Sequence, residues 1–327
     1  MSPSQLAIEA TGLRKAYGEK VVLDGIDLAI PAGTVFSLLG PNGAGKTTTV
    51  QILSTLIGAD GGSARVIGHD LVDAADDVRG VIGVTGQFSA VDHLLTAEEN
   101  LLLMADLHHL PRAEGRRRAA QLLEQFDLVD VAKKMAATFS GGMRRRLDLA
   151  MTLVGRPKVI FLDEPTTGLD PRSRRAMWEI IRGLVADGVT LFLTTQYLDE
   201  ADQLADRIAV LDHGRLVAQG TPAELKRLVP GGHLVLHFPD AQALDDAARL
   251  LPAGPRDDNA LTLQTPSDGS AHAVRTVLDR LDAAGIPVEQ LTVHTPDLDD
   301  VFFAFTGGPT VPTQTTTTDN ETKAAAR

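Results

Sequence analysis

An apolar run, Val35–Leu39, passes directly into Gly40-Pro-Asn-Gly-Ala-Gly-Lys-Thr47, and a helical stretch, Lys46–Ile57, follows it. Nothing else in the chain constrains the fold as tightly. The segment fits G-x-x-x-x-G-K-[ST], and a strand before it with a helix after it is the context that gives this pattern its meaning. Gly40, Gly43 and Gly45 let the backbone curl so that successive N–H groups point inward. The helix N-terminus adds partial positive charge to the same hollow. Phosphate is the ligand such a cradle takes. Lys46 is placed to reach the β- and γ-phosphates of a nucleotide, and the Thr47 hydroxyl to bind Mg²⁺. Pro41, Asn42, Ala44 and Thr48 complete the nucleotide-binding set. The bland alternative is a glycine-rich turn with a chance lysine, and the flanking elements argue against it.

A second signal is Val159-Ile-Phe-Leu-Asp163-Glu164, an apolar strand ending in two carboxylates. Asp163 is placed to hold the magnesium ion, and Glu164, facing differently, to polarise an attacking water as general base. Alone, such a pair would be a solvated turn; beside the phosphate loop it is part of a hydrolytic site.

The first two-thirds of the chain alternates strand-like and amphipathic helical runs, which predicts an α/β domain over residues 5–228. Further strands are expected at Val159–Leu162 and Val189–Thr194, and helices at Met177–Ala186, Leu94–Leu110 and Arg116–Phe126. The pattern breaks at Val229-Pro-Gly-Gly232. After it, strands at His233–Phe238, Leu261–Gln264 and Val288–His294 alternate with helices at Ala241–Leu251, Ala271–Ala284 and Leu298–Phe305. This predicts a small α+β accessory domain of ferredoxin-like type over residues 232–306. Residues 307–327 are rich in Pro and Thr and are expected to be disordered. The net charge of −12 over 327 residues argues against a nucleic-acid partner. There is no cysteine, so thiolate metal sites and disulfides are excluded. No apolar run of about 18 residues predicts a membrane span, and a cytoplasmic location is expected.

Phe139-Ser-Gly-Gly-Met-Arg-Arg-Arg-Leu-Asp-Leu-Ala150 lies just before the second carboxylate strand. Together with the phosphate loop, it makes residues Leu6 to Leu228 resemble the ATP-binding cassette family, whose signature motif it matches. Phe139 stands for the usual leucine and Met143 for the usual glutamine. The resemblance implies a P-loop cassette with a helical subdomain. It also implies that Ser140, Gly141, Gly142 and Met143 close on the ATP held by a second copy, giving a nucleotide-dependent homodimer. Tyr17 matches the aromatic residue that stacks on adenine, although a lone tyrosine would more often be packing. Gln87 matches the glutamine that senses Mg²⁺ and contacts the membrane partner. Gly168-Leu-Asp170-Pro matches the loop that touches the opposing subunit. Where the family places a γ-phosphate histidine, this chain has Gln196, which donates a hydrogen bond but carries no charge and relays no proton. A degenerate ATPase and a branch in which glutamine suffices both remain open, and the intact Glu164 favours the second.

The signature segment, Gln196-Tyr-Leu-Asp-Glu-Ala-Asp and the closing Asp299-Asp-Val-Phe-Phe-Ala-Phe-Thr-Gly307 narrow the resemblance. They resemble the ATP-binding subunits of daunorubicin/doxorubicin-resistance exporters. This implies Mg²⁺ and ATP, a separate integral-membrane permease, a place at the cytoplasmic face of the cell membrane, and efflux of an anthracycline-like drug or antibiotic. Export of another hydrophobic or lipid-like substrate, or a regulatory role outside transport, is the alternative. The last helix is expected to pack onto the cassette, onto a twin, or simply as a core face. Arg116–Arg118 and Arg144–Arg146 read as solvated helix faces, the second with electrostatic help for the anion site beside it. His93, His108, His109, His213 and His237 give no metal-ligand pattern.

Overall fold

The structure is a computed structural model that describes residues 5–86, 90–229, 232–252 and 254–307. The chain opens with two long strands, β1 (Leu6–Tyr17) and β2 (Lys20–Pro31), before the buried β3 (Val35–Leu39) and α1 (Lys46–Leu53). Next come β4 (Gly61–Val66), β5 (His69–Asp70), α2 (Ala75–Val81) and β6 (Ile82–Thr85). The helical section is α3 (Ala97–Leu107), α4 (Arg112–Gln125) and α5 (Gly141–Thr152). The chain then returns through β7 (Val159–Asp163), α6 (Pro171–Ala186), β8 (Thr190–Thr195), α7 (Leu198–Leu204), β9 (Arg207–Asp212), β10 (Arg215–Gly220) and α8 (Pro222–Leu228).

The central sheet has the order β10-β9-β3-β8-β7-β6, parallel throughout except for β10. Every residue of β3, β7 and β8 is buried, as expected of parallel strands covered on both faces. Phe36, Phe192 and Phe161 line up across these three strands, with ring centroids 5.4 and 5.6 Å apart. Each such ring contributes roughly 1.5–3 kcal/mol by leaving water. A second, antiparallel sheet, β2-β1-β4-β5, lies over one face, and its apolar side packs with α1 in one core cluster. The helical section packs with α6 in another.

The helices start where local chemistry allows. Thr96 caps α3 and Thr221 caps α8, each in a reciprocal pair with a glutamate three residues on. Ser140 caps α5, and Asp170 with Pro171 opens α6.

Beyond residue 232 the order is β11 (His233–His237), α9 (Ala241–Leu250), β12 (Arg256–Asp257), β13 (Thr262–Pro266), α10 (Ala271–Ala283), β14 (Gln290–His294) and α11 (Leu298–Thr306). The sheet order β12-β13-β11-β14 is that of the ferredoxin-like βαββαβ arrangement, with α9 and α10 on one face. Helix α11 leaves this unit. Its Leu298, Val301, Phe302 and Phe305 join Leu39, Ala201, Ile208, Val210 and Leu225 in one cluster, so it packs onto the central parallel sheet of its own chain. The N-terminal strand pair was not legible as such, because β1 and β2 alternate imperfectly through several bulges. The expected helix Lys46–Ile57 ends at Leu53, after which Thr55 takes a left-handed φ of 63°. Of the expected tail, residues 308–327 lie outside the described residues, as does Gln87.

Candidate functional site

Register places the site. Leu39, the last residue before the glycine-rich loop, lies opposite Thr195, and Thr194 lies opposite Asp163. The carboxyl ends of β3, β8 and β7 thus bring Gly40–Thr47, Gln196 and Asp163–Glu164 to one edge, where open parallel sheets bind ligands.

The loop needs its glycines for space as well as for turning. Gly45 has φ +113°, and a Cβ there would sit 2.6 Å from the Leu23 side chain and 2.9 Å from the Val22 carbonyl. The hairpin that ends at Tyr17 therefore lies close beside the cradle. Tyr17 itself is half exposed at the end of β1, a surface on which a flat ring can stack. Asn42, Gly43 and Thr47 are exposed, Pro41 and Thr48 partly so, and Gly40 and Ala44 buried.

Lys46 is buried, and its ammonium donates to the carbonyls of Gly40 (2.7 Å) and Pro41 (3.2 Å). Burial pulls its pKa below the usual lysine range, opposed by Glu164 and Asp163. A desolvated cation at the head of α1, behind the glycine-rich loop, fits a polyphosphate. Asp163 is buried and takes hydrogen bonds from Thr194 on Oδ1 and from Thr47 on Oδ2 at 3.1 Å. A carboxylate and a hydroxyl held this close are hard oxygen donors, and they fit Mg²⁺.

Glu164 has φ +50°, a left-handed conformation costing roughly 1–2 kcal/mol in a non-glycine residue. Its amide donates to the Thr194 carbonyl at 3.0 Å, and the Thr167 hydroxyl donates to its Oε2 at 3.2 Å.

Gln196 is exposed, and the residues after it are fastened down. The Tyr197 amide donates to Thr195 Oγ1 at 3.0 Å, the Tyr197 ring lies 4.7 Å from the Arg174 guanidinium, and Arg174 reaches Asp199 at 3.4 Å. Ser140 accepts from the Met143 amide at 3.3 Å, at the open first turn of α5. A Cβ on Gly142 would meet Ser173 Oγ at 2.7 Å, so this glycine admits a close approach to α6. Ser173 in turn donates to Asp170, whose carboxyl is held below its ordinary pKa by that hydroxyl and the Ser173 amide.

Three features escaped the sequence. Arg145 and Arg146 are not a solvated face, because both turn inward. Arg146 donates to the Phe126 carbonyl at 3.0 Å and pairs with Asp127, while Arg145 reaches the backbone beside Glu164. Arg116 and Arg117 are exposed, as expected, whereas Arg118 is partly buried and donates to the Leu153 carbonyl at 2.8 Å. The third feature is Glu200, fully buried on α7. Its Oε1 accepts from Thr166 at 2.8 Å and from Trp178 Nε1 at 3.1 Å. Its position four residues before Leu204, on the apolar face of a short helix, was the available signal.

Burial raises the Glu200 pKa, and the Thr195, Thr166 and Trp178 donors only partly offset it. The folded chain therefore holds this proton above the pH at which the unfolded chain releases it. Stability then falls as pH rises from the ordinary carboxylate range through the raised pKa. Glu200→Gln keeps an acceptor for both donors without the titration. Its Tm should match the parent near pH 5 and exceed it increasingly toward pH 8. A gap in Tm that does not change with pH would remove the charge argument.

Comparison with known proteins agrees with this geometry. The family described as ABC transporter matches residues 23–167. The chain is 49% identical over 311 residues to the daunorubicin/doxorubicin resistance ATP-binding protein DrrA of Streptomyces peucetius, covering 93% of each. It is 38% identical over 302 residues to the Nod factor export ATP-binding protein I of Ralstonia nicotianae, covering 92% of this chain and 94% of that one. A solved ATP-binding subunit of an ABC transporter superposes with a TM-score of 0.62 at 30% identity, over 68% of this chain and 92% of its own. Identity of 49% along nearly the whole chain to an ATP-binding subunit, with the family match over residues 23–167, shows that the chain belongs to the ABC transporter family as one of its ATP-binding, ATP-hydrolysing subunits.

Proposed function

We propose that this chain hydrolyses ATP to drive efflux of an anthracycline-like drug or antibiotic through a separate integral-membrane permease, from the cytoplasmic face of the cell membrane. The observation that carries this reading is the 49% identity to a daunorubicin/doxorubicin resistance subunit across 93% of the chain, which includes the C-terminal sheet and α11. Among the described residues no helix is long and apolar enough to cross a membrane, which suits a subunit that works with a membrane component. The chain is read as a cassette over residues 5–228 with an accessory unit over 232–306.

In this mechanism Lys46 and the amides of Gly40–Thr47 bind the β- and γ-phosphates, and Tyr17 stacks on the base. Thr47 and Asp163, joined by Gln87, would hold Mg²⁺, which when bound neutralises charge on the phosphate oxygens. Glu164 accepts a proton from the water attacking the γ-phosphorus. The P–O bond to the leaving ADP breaks as the new one forms. Gln196 donates to the γ-phosphate. Ser140–Met143 and Asp170 serve the site of a second copy. In support, α5 packs in the helical cluster and α1 in the other, so these two helices belong to different apolar cores. A twofold homodimer satisfies both with one interface type.

Two tests apply. Gln196→Ala should lower kcat about tenfold while Gln196→His retains it, since only the alanine loses a donor to phosphate. Parental turnover in Gln196→Ala would end the role of this side chain. Inside-out vesicles holding this chain and a permease should accumulate doxorubicin when given ATP, and Glu164→Gln vesicles should not. ATP turnover without uptake would favour a different cargo, a reading supported by the 38% identity to a Nod factor export subunit.

A further inference from the structure

Helix α5 carries three consecutive arginines, and the middle one is enclosed. Arg145 Nε donates to the Pro165 carbonyl at 2.9 Å, Nη1 to the Gly86 carbonyl at 2.9 Å, and Nη2 to the Asp163 carbonyl at 3.3 Å. Its Nη1 also pairs with Asp148 Oδ2 at 3.3 Å, one turn along the same helix. The two side chains are only 12% and 4% exposed. Asp148 uses its other oxygen, Oδ1, to accept from the Ala90 amide at 3.0 Å. One buried ion pair therefore grips the chain at Gly86 and again at Ala90. The same guanidinium grips the carbonyls on either side of Glu164.

Glu164 stands in a left-handed conformation that persists only where its surroundings hold it there. Among the described residues its side chain takes one hydrogen bond, from the exposed Thr167. The backbone grips at Asp163 and Pro165 are thus well placed to fix where the carboxylate points. A planar fork of donors suits this task, because it reaches several carbonyls at set angles where an ammonium reaches them from one point.

We propose that the Arg145–Asp148 pair is a positioning device for the general base. It fastens the stems at Gly86 and Ala90 to the backbone flanking Glu164, so that the orientation of the base depends on how those stems are held. Arg145 touches no reacting atom; it acts through Glu164. The proposal rests on the reading of Glu164 as the base.

The test uses the purified full-length chain and follows ATP affinity, kcat at saturating ATP and Tm together. Arg145→Lys keeps the charge and loses the fork. It should bind ATP within about threefold of the parent and lower kcat about 10- to 100-fold, a split that general loosening does not give. Asp148→Asn, which keeps the side-chain shape, should lower kcat in the same direction by less, and it stands in if Arg145→Lys does not fold. In a Glu164→Gln background, Arg145→Lys should slow the residual hydrolysis no further, because residues acting as a unit are not additive. A folded Arg145→Lys chain with kcat within twofold of the parent overturns the proposal and leaves the base in place, as does a full further loss on top of Glu164→Gln. Parental turnover in Glu164→Gln overturns the base reading itself and takes the positioning role with it.

Discussion

Glu164→Gln is expected to abolish nearly all ATP turnover, lowering kcat by about 10²–10³-fold, while leaving ATP affinity within a few-fold of the parent. Glutamine keeps the shape and the acceptor that Thr167 uses, and it cannot take a proton from water. Lys46, Thr47 and Asp163, which handle the phosphates and metal in the proposed mechanism, are untouched. The consequence for assembly is just as large. If Ser140–Met143 of one copy close on the nucleotide of another, a chain that binds ATP and does not split it should accumulate as a closed dimer. Phosphate release and light scattering on the same sample measure both effects. A Glu164→Gln chain that stays monomeric at saturating ATP would remove the shared-site arrangement, and one that still turns over would remove the base.

Lys46→Ala should act one step earlier, on binding. In the structure the buried ammonium rests on the carbonyls of Gly40 and Pro41. Hydrogen bonds to charged groups contribute roughly 1.5–3 kcal/mol each. Losing contacts to two phosphates should therefore weaken ATP binding by about 10²-fold or more. Turnover measured at millimolar ATP would fall in parallel, and the nucleotide-induced dimer would disappear. Calorimetric titration of ATP into the purified chain checks the affinity, with the Tm of the nucleotide-free chain as a control on folding. An affinity within threefold of the parent would mean that the loop amides suffice, and Lys46 would then belong to the chemistry alone.

The two variants separate what was legible in the sequence from what was not. Lys46 and Glu164 were both readable, because Lys46 opens the helix after one short strand and Glu164 directly follows another, and strands so apolar have to be buried. The structure puts the ends of both strands on one edge. The C-terminal unit was readable for a similar reason: its strands and helices alternate cleanly, and each expected boundary falls within about two residues of the structure, while the two-residue β12 went unread. The tail of α1 was not, since nothing in Ser54-Thr-Leu-Ile57 announces a left-handed turn at Thr55. Arg145 and Glu200 were missed because single-residue reading treats charge as solvated. Both are buried charges or acids held by partners far away in the chain: the Gly86 and Pro165 carbonyls for one, Thr166 and Trp178 for the other. Only tertiary contact makes such residues affordable inside a protein.

Helix α11 has a bearing on how the chain is made. It shares a cluster with Leu39, Ile208, Val210 and Leu225, yet it begins at Leu298, close to the end of the described chain. Synthesis runs from the N-terminus, so the strands and helices of the cassette leave the ribosome with that apolar patch uncovered. The accessory unit between them has its own core and can fold while the patch waits. The apolar patch is therefore covered only by a helix that emerges after the whole accessory unit, and until then it presents a surface that chaperones and aggregation compete for. A frameshift or stop codon just before residue 298 would spare every proposed catalytic group and still yield a chain prone to clearance.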